Sequence, residues 1–225
     1  MGTIQGVLLD VDGTLALSND DQARSWVAAF AEQGYDVPFD RVRPLIGMGG
    51  DKVLDTVTPG LNDKEDPGKT IAERRKEIVM ERYIPHIAPA PGARDLVQRI
   101  QEAGLRVIVA TSAKPDELEA MLKAVGVDDL LRERTTSDDA KESKPAPNIV
   151  SVALERIGLP ADAVLMIGDT PYDIESAAKI GVSTIAVRCG GFSDDDLKDA
   201  RALYDDPADL VAHYDESPLL PIGSA

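Results

Sequence analysis

A single cysteine, Cys189, in 225 residues excludes an intrachain disulfide and any cluster of thiolates around a metal. Histidine is almost as scarce: His86 and His213 are too few for a histidine-rich metal site. With no histidine near it in sequence, Cys189 reads as a packed residue and not as a nucleophile. Basic residues are the minority sign, 24 Lys and Arg against 40 Asp and Glu, for a net charge of −16. Such a surface repels nucleic acid and anionic lipid, so neither is an expected partner. Any anionic ligand must then be held by a local cation or a metal ion. No apolar run approaches the roughly 18 residues of a membrane span. The start, MGTIQGVLLD, lacks the basic segment and long apolar stretch of a signal peptide. A cytoplasmic protein is the expectation.

What is present describes a soluble globular chain, 43% hydrophobic and 28% charged. Its length suits one large domain, or a domain with a modest insertion. Short apolar runs at 4–10, 105–111, 133–137 (the weakest), 163–168 and 183–187 predict buried strands. Helical patterns lie between most of them: PGARDLVQRIQEAG, KPDELEAMLKAVG, PNIVSVALERIG and TPYDIESAAKIG, stopping at Gly104, Gly126, Gly158 and Gly181. Alternating strands and helices with short connections mark parallel βαβ units. The runs are apolar throughout, as a sheet covered on both faces requires. Residues 18–86 break the rhythm with helical patterns such as NDDQARSWVAAFAEQG and TIAERRKEIVMERY, and without a convincing strand. They predict a helical insertion, hinged at Leu15-Ala16 and at Pro85–Pro91.

The stretch VLLDVDGTLA, residues 7–16, ends an apolar strand in two carboxylates that project to the same side of an extended chain. An Asp-Gly pair alone reads as a turn, but Asp10 and Asp12 have company. Strand two delivers Thr111 and Ser112, ESKPAPN delivers Lys144, and strand four delivers Asp169, with Asp173 one helical turn later. Singly, each of these residues reads first as a helix cap or a solvated loop residue. In order, at the same end of successive strands, they lie where open α/β sheets bind ligands. Together they describe a phosphoryl-transfer site. Asp10 and Asp169 offer hard oxygen ligands suited to Mg²⁺, and the ion explains how close carboxylates survive together. Asp10 is then the nucleophile of an aspartyl-phosphate intermediate, and Asp12 the general acid and base. Lys144 offsets charge, and Thr111 donates to a phosphoryl oxygen. Backbone N–H groups around Asp12-Gly13 and at Ser112, with Thr14 beside them, form an anion-binding nest.

DVDGT, the Thr111-Ser112 pair, KPAPN and GDTPYD resemble, in order and spacing, the four motifs of the haloacid dehalogenase superfamily, over essentially the whole chain. The resemblance implies an α/β fold: a Rossmann-like parallel-sheet core of three α/β/α layers, residues 1–15 and 87–225, with an inserted α-helical cap, residues 16–86. The cap places the chain near the phosphoglycolate phosphatase and beta-phosphoglucomutase branch. It implies a Mg²⁺-dependent phosphatase for a small phosphorylated metabolite. Asp10, the Asp12 backbone carbonyl and Asp169 would hold the ion, and Asp173 would steady the metal site or Lys144. Relatives often carry Asp at the position of Leu17 and His at that of Gln22, where the histidine assists mutase chemistry; Gln22 therefore counts against a mutase. Asp12 counts against carbon–halogen cleavage. The competing class is a phosphate-binding or signalling module that accepts phosphate without turnover, as receiver domains do.

Weaker signals remain in the insertion. The glycine-rich IGMGG, 46–50, follows no predicted strand and corresponds in the resemblance to a cap segment facing the active site. Arg41, Arg43 and Lys52 flank it, as substrate contacts or as a solvated cluster. Arg74-Arg75-Lys76 reads as an exposed helix face. Trp26 and Phe30, four apart, read as packing inside the cap.

Overall fold

The computed structural model describes residues 3–140 and 142–220. In chain order it comprises β1 (Gly6–Leu9), α1 (Asn19–Glu32), α2 (Phe39–Val42), α3 (Gly50–Val57), α4 (Gly68–Ile78), α5 (Ala93–Glu102), β2 (Arg106–Ala110), α6 (Pro115–Ala124), β3 (Arg134–Thr135), α7 (Asn148–Ile157), β4 (Val164–Gly168), α8 (Pro171–Ala178), β5 (Ser183–Val187), β6 (Ala202–Tyr204) and α9 (Pro207–Ala212). The strands form one parallel sheet in the order β3-β2-β1-β4-β5-β6. This is the doubly wound arrangement, whose strand order reverses between β1 and β4 and opens a crevice beyond their carboxyl ends. The five predicted strands are present, the third reduced to two residues. The sixth, β6, was not predicted: three half-buried residues at a sheet edge carry too little apolar pattern to stand out.

The apolar runs are explained by two covered faces. Val7, Leu9, Val109, Leu165 and Ile167 pack with Leu96 and Ile100 of α5 and Leu118 and Met121 of α6. Leu8, Ile108, Ala110 and Met166 pack with Ile149, Val150, Ala153 and Ile157 of α7. Each large side chain so buried contributes about 1.5–3 kcal/mol. The predicted glycine stops are also observed. Gly104, Gly126, Gly158 and Gly181 all have positive φ, between 65° and 78°, which a side chain would resist.

Between β1 and β2 the chain leaves the sheet. Helices α1 to α4 gather around a separate apolar cluster that includes Ala23, Trp26, Phe30, Val42, Leu54, Ile71 and Ile78. Trp26 and Phe30 pack with ring centroids 6.0 Å apart and planes tilted by 37°, as their spacing suggested. The chain crosses to and from this layer on two segments that lie side by side. Leu17 N–H donates to Ala88 O at 2.9 Å, and Ala90 N–H to Leu15 O at 2.8 Å. Among the described residues no helix is long and apolar enough to cross a membrane.

Candidate active site

The ladder of β1 runs one residue past the strand: Asp10 N–H donates to Ile167 O at 2.9 Å. That bond sets Asp10 at the mouth of the crevice, beside Asp169, which follows β4. The turn after it is tight. Gly13 adopts φ 75°, and its N–H donates to Ala16 O at 2.8 Å. A Cβ on Gly13 would lie 2.1 Å from Asp169 Oδ2, so only glycine lets the loop press against that carboxylate.

Lys144 is the hub. Its buried ammonium donates to Asp10 Oδ1 at 2.6 Å, to Asp173 Oδ1 at 2.7 Å and to Ala110 O at 2.9 Å, which uses all three protons. Asp173 can reach it because Asp173 is fixed by a reciprocal cap at the start of α8. Thr170 Oγ1 donates to Asp173 Oδ2 at 2.7 Å, Thr170 N–H donates to the same oxygen at 3.1 Å, and Pro171 follows at the first helical position. Asp169 accepts from Thr14 Oγ1 at 3.1 Å and from Asn19 Nδ2 at 2.7 Å. Asp12 belongs to a different group. Its Oδ1 accepts from Ser18 Oγ at 2.6 Å and Gln22 Nε2 at 2.8 Å, both from the inserted layer.

The electrostatics show what is missing from this balance. Burial pushes the Asp10 carboxyl up to about 8; Lys144 opposes the shift, while Asp173 and Asp12 reinforce it. Asp169 is raised well above the carboxylate range by burial, then by Asp173 and Asp10. Burial works against the Lys144 ammonium, but Asp10 and Asp173 outweigh it and hold its proton more firmly than usual. One ammonium thus pairs with two of three clustered, buried carboxylates. Oxygens of Asp10, Asp169 and Asp173 lie within 4.8 Å of one another. An all-oxygen set in excess negative charge fits a hard divalent cation of the Mg²⁺ kind.

A pH dependence follows. A carboxyl raised from 3.8 to about 8 keeps its proton on folding, so its contribution is present below pH 4 and is lost as pH rises towards 8. The metal-free protein should therefore lose melting temperature between pH 5 and 8 in proportion to Asp10. Mg²⁺ should restore it more at pH 8 than at pH 5. At one hundred times its Kd the ion adds about 2.7 kcal/mol, about 5–10 °C for a chain of this size. Thermal melts with and without Mg²⁺ check this; an equal shift at both pH values would refute it.

Above the carboxylates lies a cavity of about 70 Å³, lined by Asp10, Asp12, Gln22, Arg75, Thr111 and Ser112, among others. It adjoins a chamber of about 310 Å³ that shares Trp26, Gly50, Arg75 and Ser112 with it. Thr111 Oγ1 accepts from Ala113 N–H at 3.1 Å, which leaves its own proton free. Ser112 Oγ is buried without a partner. Both suit an incoming oxyanion. Gly13 and Thr14 do not offer free donors: the Thr14 N–H goes to Val11 O and its hydroxyl to Asp169, and the Gly13 N–H goes to Ala16 O. They shape the loop and Asp169, and the nest read there from the sequence lacks those two N–H groups.

The inserted layer touches the cavity through the IGMGG segment, as the resemblance implied. A Cβ on Gly47 would lie 2.6 Å from Thr170 Cγ2, and one on Gly49 only 2.0 Å from Ser143 Cβ. The flanking cations are elsewhere. Arg41 donates to Val57 O at 2.7 Å, Arg43 to Asp20 at 2.7 Å and to Gly190 O, and Lys52 is exposed beside Asp51. The cation that enters the cavity is Arg75, read from the sequence as part of an exposed face. Successive helical residues are about 100° apart, so three in a row cannot share one face. Arg74 pairs with Glu32, Lys76 with Asp116, and Arg75 points inward. Asn19, Arg75 and Glu117 were missed, and that rotation was the available signal for Arg75. Cys189 donates to Gly13 O at 3.2 Å, and burial pushes its thiol up to about 12, in keeping with a packed residue.

The family model for haloacid dehalogenase-like hydrolases matches residues 7–187. The chloroplastic protein Suppressor of Quenching 1 of Arabidopsis thaliana is 34% identical over 202 residues, covering 88% of this chain; the chain spans only 19% of that protein's length. Phosphoglycolate phosphatase of Rhodospirillum rubrum is 28% identical over 92% of this chain and 89% of its own. A crystal structure of a hydrolase from Pseudomonas syringae superposes with a TM-score of 0.87 at 28% identity, covering 94% of this chain and 98% of that one.

Proposed function

The chain belongs to the haloacid dehalogenase-like hydrolases, and from that premise we propose that it is a Mg²⁺-dependent phosphatase of small phosphorylated metabolites, working through an aspartyl-phosphate, an acyl phosphate formed on Asp10. The observation that carries this reading is that Asp10 and Asp12 line one cavity at the sheet's switch point while Lys144 and Asp169, from two other parts of the chain, gather behind it around Asp10. Similarity to a phosphoglycolate phosphatase supports a small anionic substrate. A net charge of −16 argues against nucleic acid or membrane partners, and a cytoplasmic setting fits.

In this reading residues 1–15 and 87–225 are the catalytic core and residues 16–86 a cap. The cavity of about 70 Å³ takes the phosphoryl group, and the adjoining chamber takes the leaving group. Asp10, the Asp12 carbonyl and Asp169 would hold Mg²⁺, which supplies charge neutralisation for the carboxylates and phosphate. Lys144 and Asp173 keep Asp10 in place. An Asp10 oxygen attacks phosphorus, the ester P–O bond breaks, and the leaving oxygen takes a proton from Asp12. Asp12 then takes a proton from the water that attacks phosphorus, which frees Asp10 and inorganic phosphate. Thr111 and Ser112 hold the phosphoryl oxygens. Gln22, an amide that neither gives nor takes a proton near neutrality, supports hydrolysis over mutase chemistry.

Sustained phosphate release from p-nitrophenyl phosphate with Mg²⁺, and its loss on chelation, is the expected result. A panel of phosphorylated metabolites then ranks substrates by kcat/KM. Uptake of one phosphate per chain without further release would favour the non-catalytic module instead.

A further inference from the structure

Asp169 is held unlike the carboxylates beside it. Lys144 directs its three protons to Asp10, Asp173 and Ala110 O. Among the described residues the donors to Asp169 are both neutral: the Thr14 hydroxyl on Oδ1 at 3.1 Å and the Asn19 amide on Oδ2 at 2.7 Å. One donor on each oxygen, from two different segments, fixes the plane of the carboxylate. Neutral donors do this without cancelling the charge that a cation would need. The space around Oδ2 is cleared for the contact. A Cβ on Gly190 would run into that oxygen, and one on Gly13 into Asn19 Nδ2. The φ of Gly190 is not positive, so this glycine supplies room and not backbone freedom.

The Asn19 amide has only one way to lie. Its Nδ2 also donates to Gly190 O at 2.9 Å. Both neighbours accept and neither donates, so the N–H₂ must face them and the carbonyl is turned away. Asn19 is 4% exposed, and its Oδ1 has no partner. A buried carbonyl left unpaired works against folding. Stability alone is therefore a poor reason for an asparagine here; the donor it turns to Asp169 is a better one.

We propose that Asn19 is a positioning residue that fixes the Asp169 carboxylate for a small divalent cation, and so sets the preference of the site for Mg²⁺ over Ca²⁺. The inference rests on the Mg²⁺ reading given above. Mg²⁺ demands a near-octahedral oxygen set at about 2.0–2.1 Å, whereas Ca²⁺ accepts looser sets at about 2.3–2.6 Å. A carboxylate free to swing therefore handicaps the smaller ion more. Loss of a hydrogen-bond partner that orients a metal ligand typically lowers metal affinity by about 10–100-fold.

The test follows the melting temperature of the full chain as Mg²⁺ alone, or Ca²⁺ alone, is added, which gives a Kd for each ion. Asn19→Leu keeps the branched shape and removes both the donor and the unpaired acceptor. Asp169 keeps Thr14, and Gly190 O keeps Arg43, so neither is left without a partner. The Kd for Mg²⁺ should rise about 10–100-fold, and that for Ca²⁺ by no more than about threefold, given its tolerance of loose geometry. Asn19→Ala, which is smaller, decides the matter if Asn19→Leu fails to fold. Arg43→Met loosens the same carbonyl without touching Asp169, and should leave the ratio of the two Kd values as in the wild type. Equal shifts for the two ions in the Asn19 variant, or none, would overturn the proposal. So would an Arg43→Met variant that changes the ratio as much, since the effect would then belong to the loop. A wild type that Mg²⁺ does not stabilise overturns the Mg²⁺ reading itself, and this inference with it.

Discussion

Asp10→Asn should abolish phosphatase turnover, with a loss beyond 10⁴-fold, while the protein stays folded. The amide keeps the size and the N–H···O ladder contact that places residue 10 at the crevice. It removes the charged oxygen that attacks phosphorus in the proposed mechanism, and a weakly nucleophilic amide cannot replace it. Stability should not suffer. Burial raises the Asp10 carboxyl to about 8, so the site already resists its charged form, and a neutral Asn meets no such penalty. Lys144 retains Asp173 at 2.7 Å and Ala110 O at 2.9 Å. The metal-free variant should therefore melt no lower than the wild type near pH 8, while Mg²⁺ raises its melting temperature less. Turnover within tenfold of wild type in a folded Asp10→Asn protein would refute Asp10 as nucleophile.

How much of this was legible in advance depends on what kind of signal each residue gives. Strands buried on both faces announce themselves as unbroken apolar runs, so β1, β2, β4 and β5 were read with nearly their observed bounds. Residues that follow a strand inherit its register, which is why Asp10, Thr111 and Asp169 could be placed at one end of the sheet without coordinates. Lys144 needed only the loop after β3. Residues reaching the site from helices obey a different rule. Asn19 and Gln22 meet the carboxylates, and Arg75 meets Gln22, through the packing of α1 and α4 on the core, which no local pattern encodes. Glu117 looks like any charged residue in the first turn of a helix and turns out to be buried. The flanking cations Arg41, Arg43 and Lys52 show the converse. They are near IGMGG in sequence, yet their side chains bind backbone carbonyls and surface carboxylates. The nest read around Asp12-Gly13 and Ser112 loses the Gly13 N–H, since the tight turn directs it to Ala16 O.

Asp12→Asn should also be severe, by about 10²–10⁴-fold, the range for general acid–base help, and its cause can be separated from that of Asp10→Asn. Both donors to Asp12, Ser18 Oγ at 2.6 Å and Gln22 Nε2 at 2.8 Å, fall on Oδ1. An asparagine will set its carbonyl oxygen there, which keeps both hydrogen bonds and turns its N–H₂ towards the cavity. The fold and the loop are preserved, and the one group removed is the exchangeable proton on Oδ2. With an alkyl phosphate the leaving alkoxide needs that proton, so formation of the acyl phosphate on Asp10 is itself slowed. With p-nitrophenyl phosphate the leaving phenolate needs none, so Asp10 is phosphorylated and the acyl phosphate waits for a water that has lost its base. The alkyl substrate should therefore show a slow first turnover and no burst, and the aryl substrate a burst followed by a slow steady rate. Intact-mass measurement after rapid quenching should find phosphorylated protein with the aryl substrate and almost none with the alkyl one. Equal, small losses with both substrates and no trapped acyl phosphate would remove Asp12 from the acid–base role.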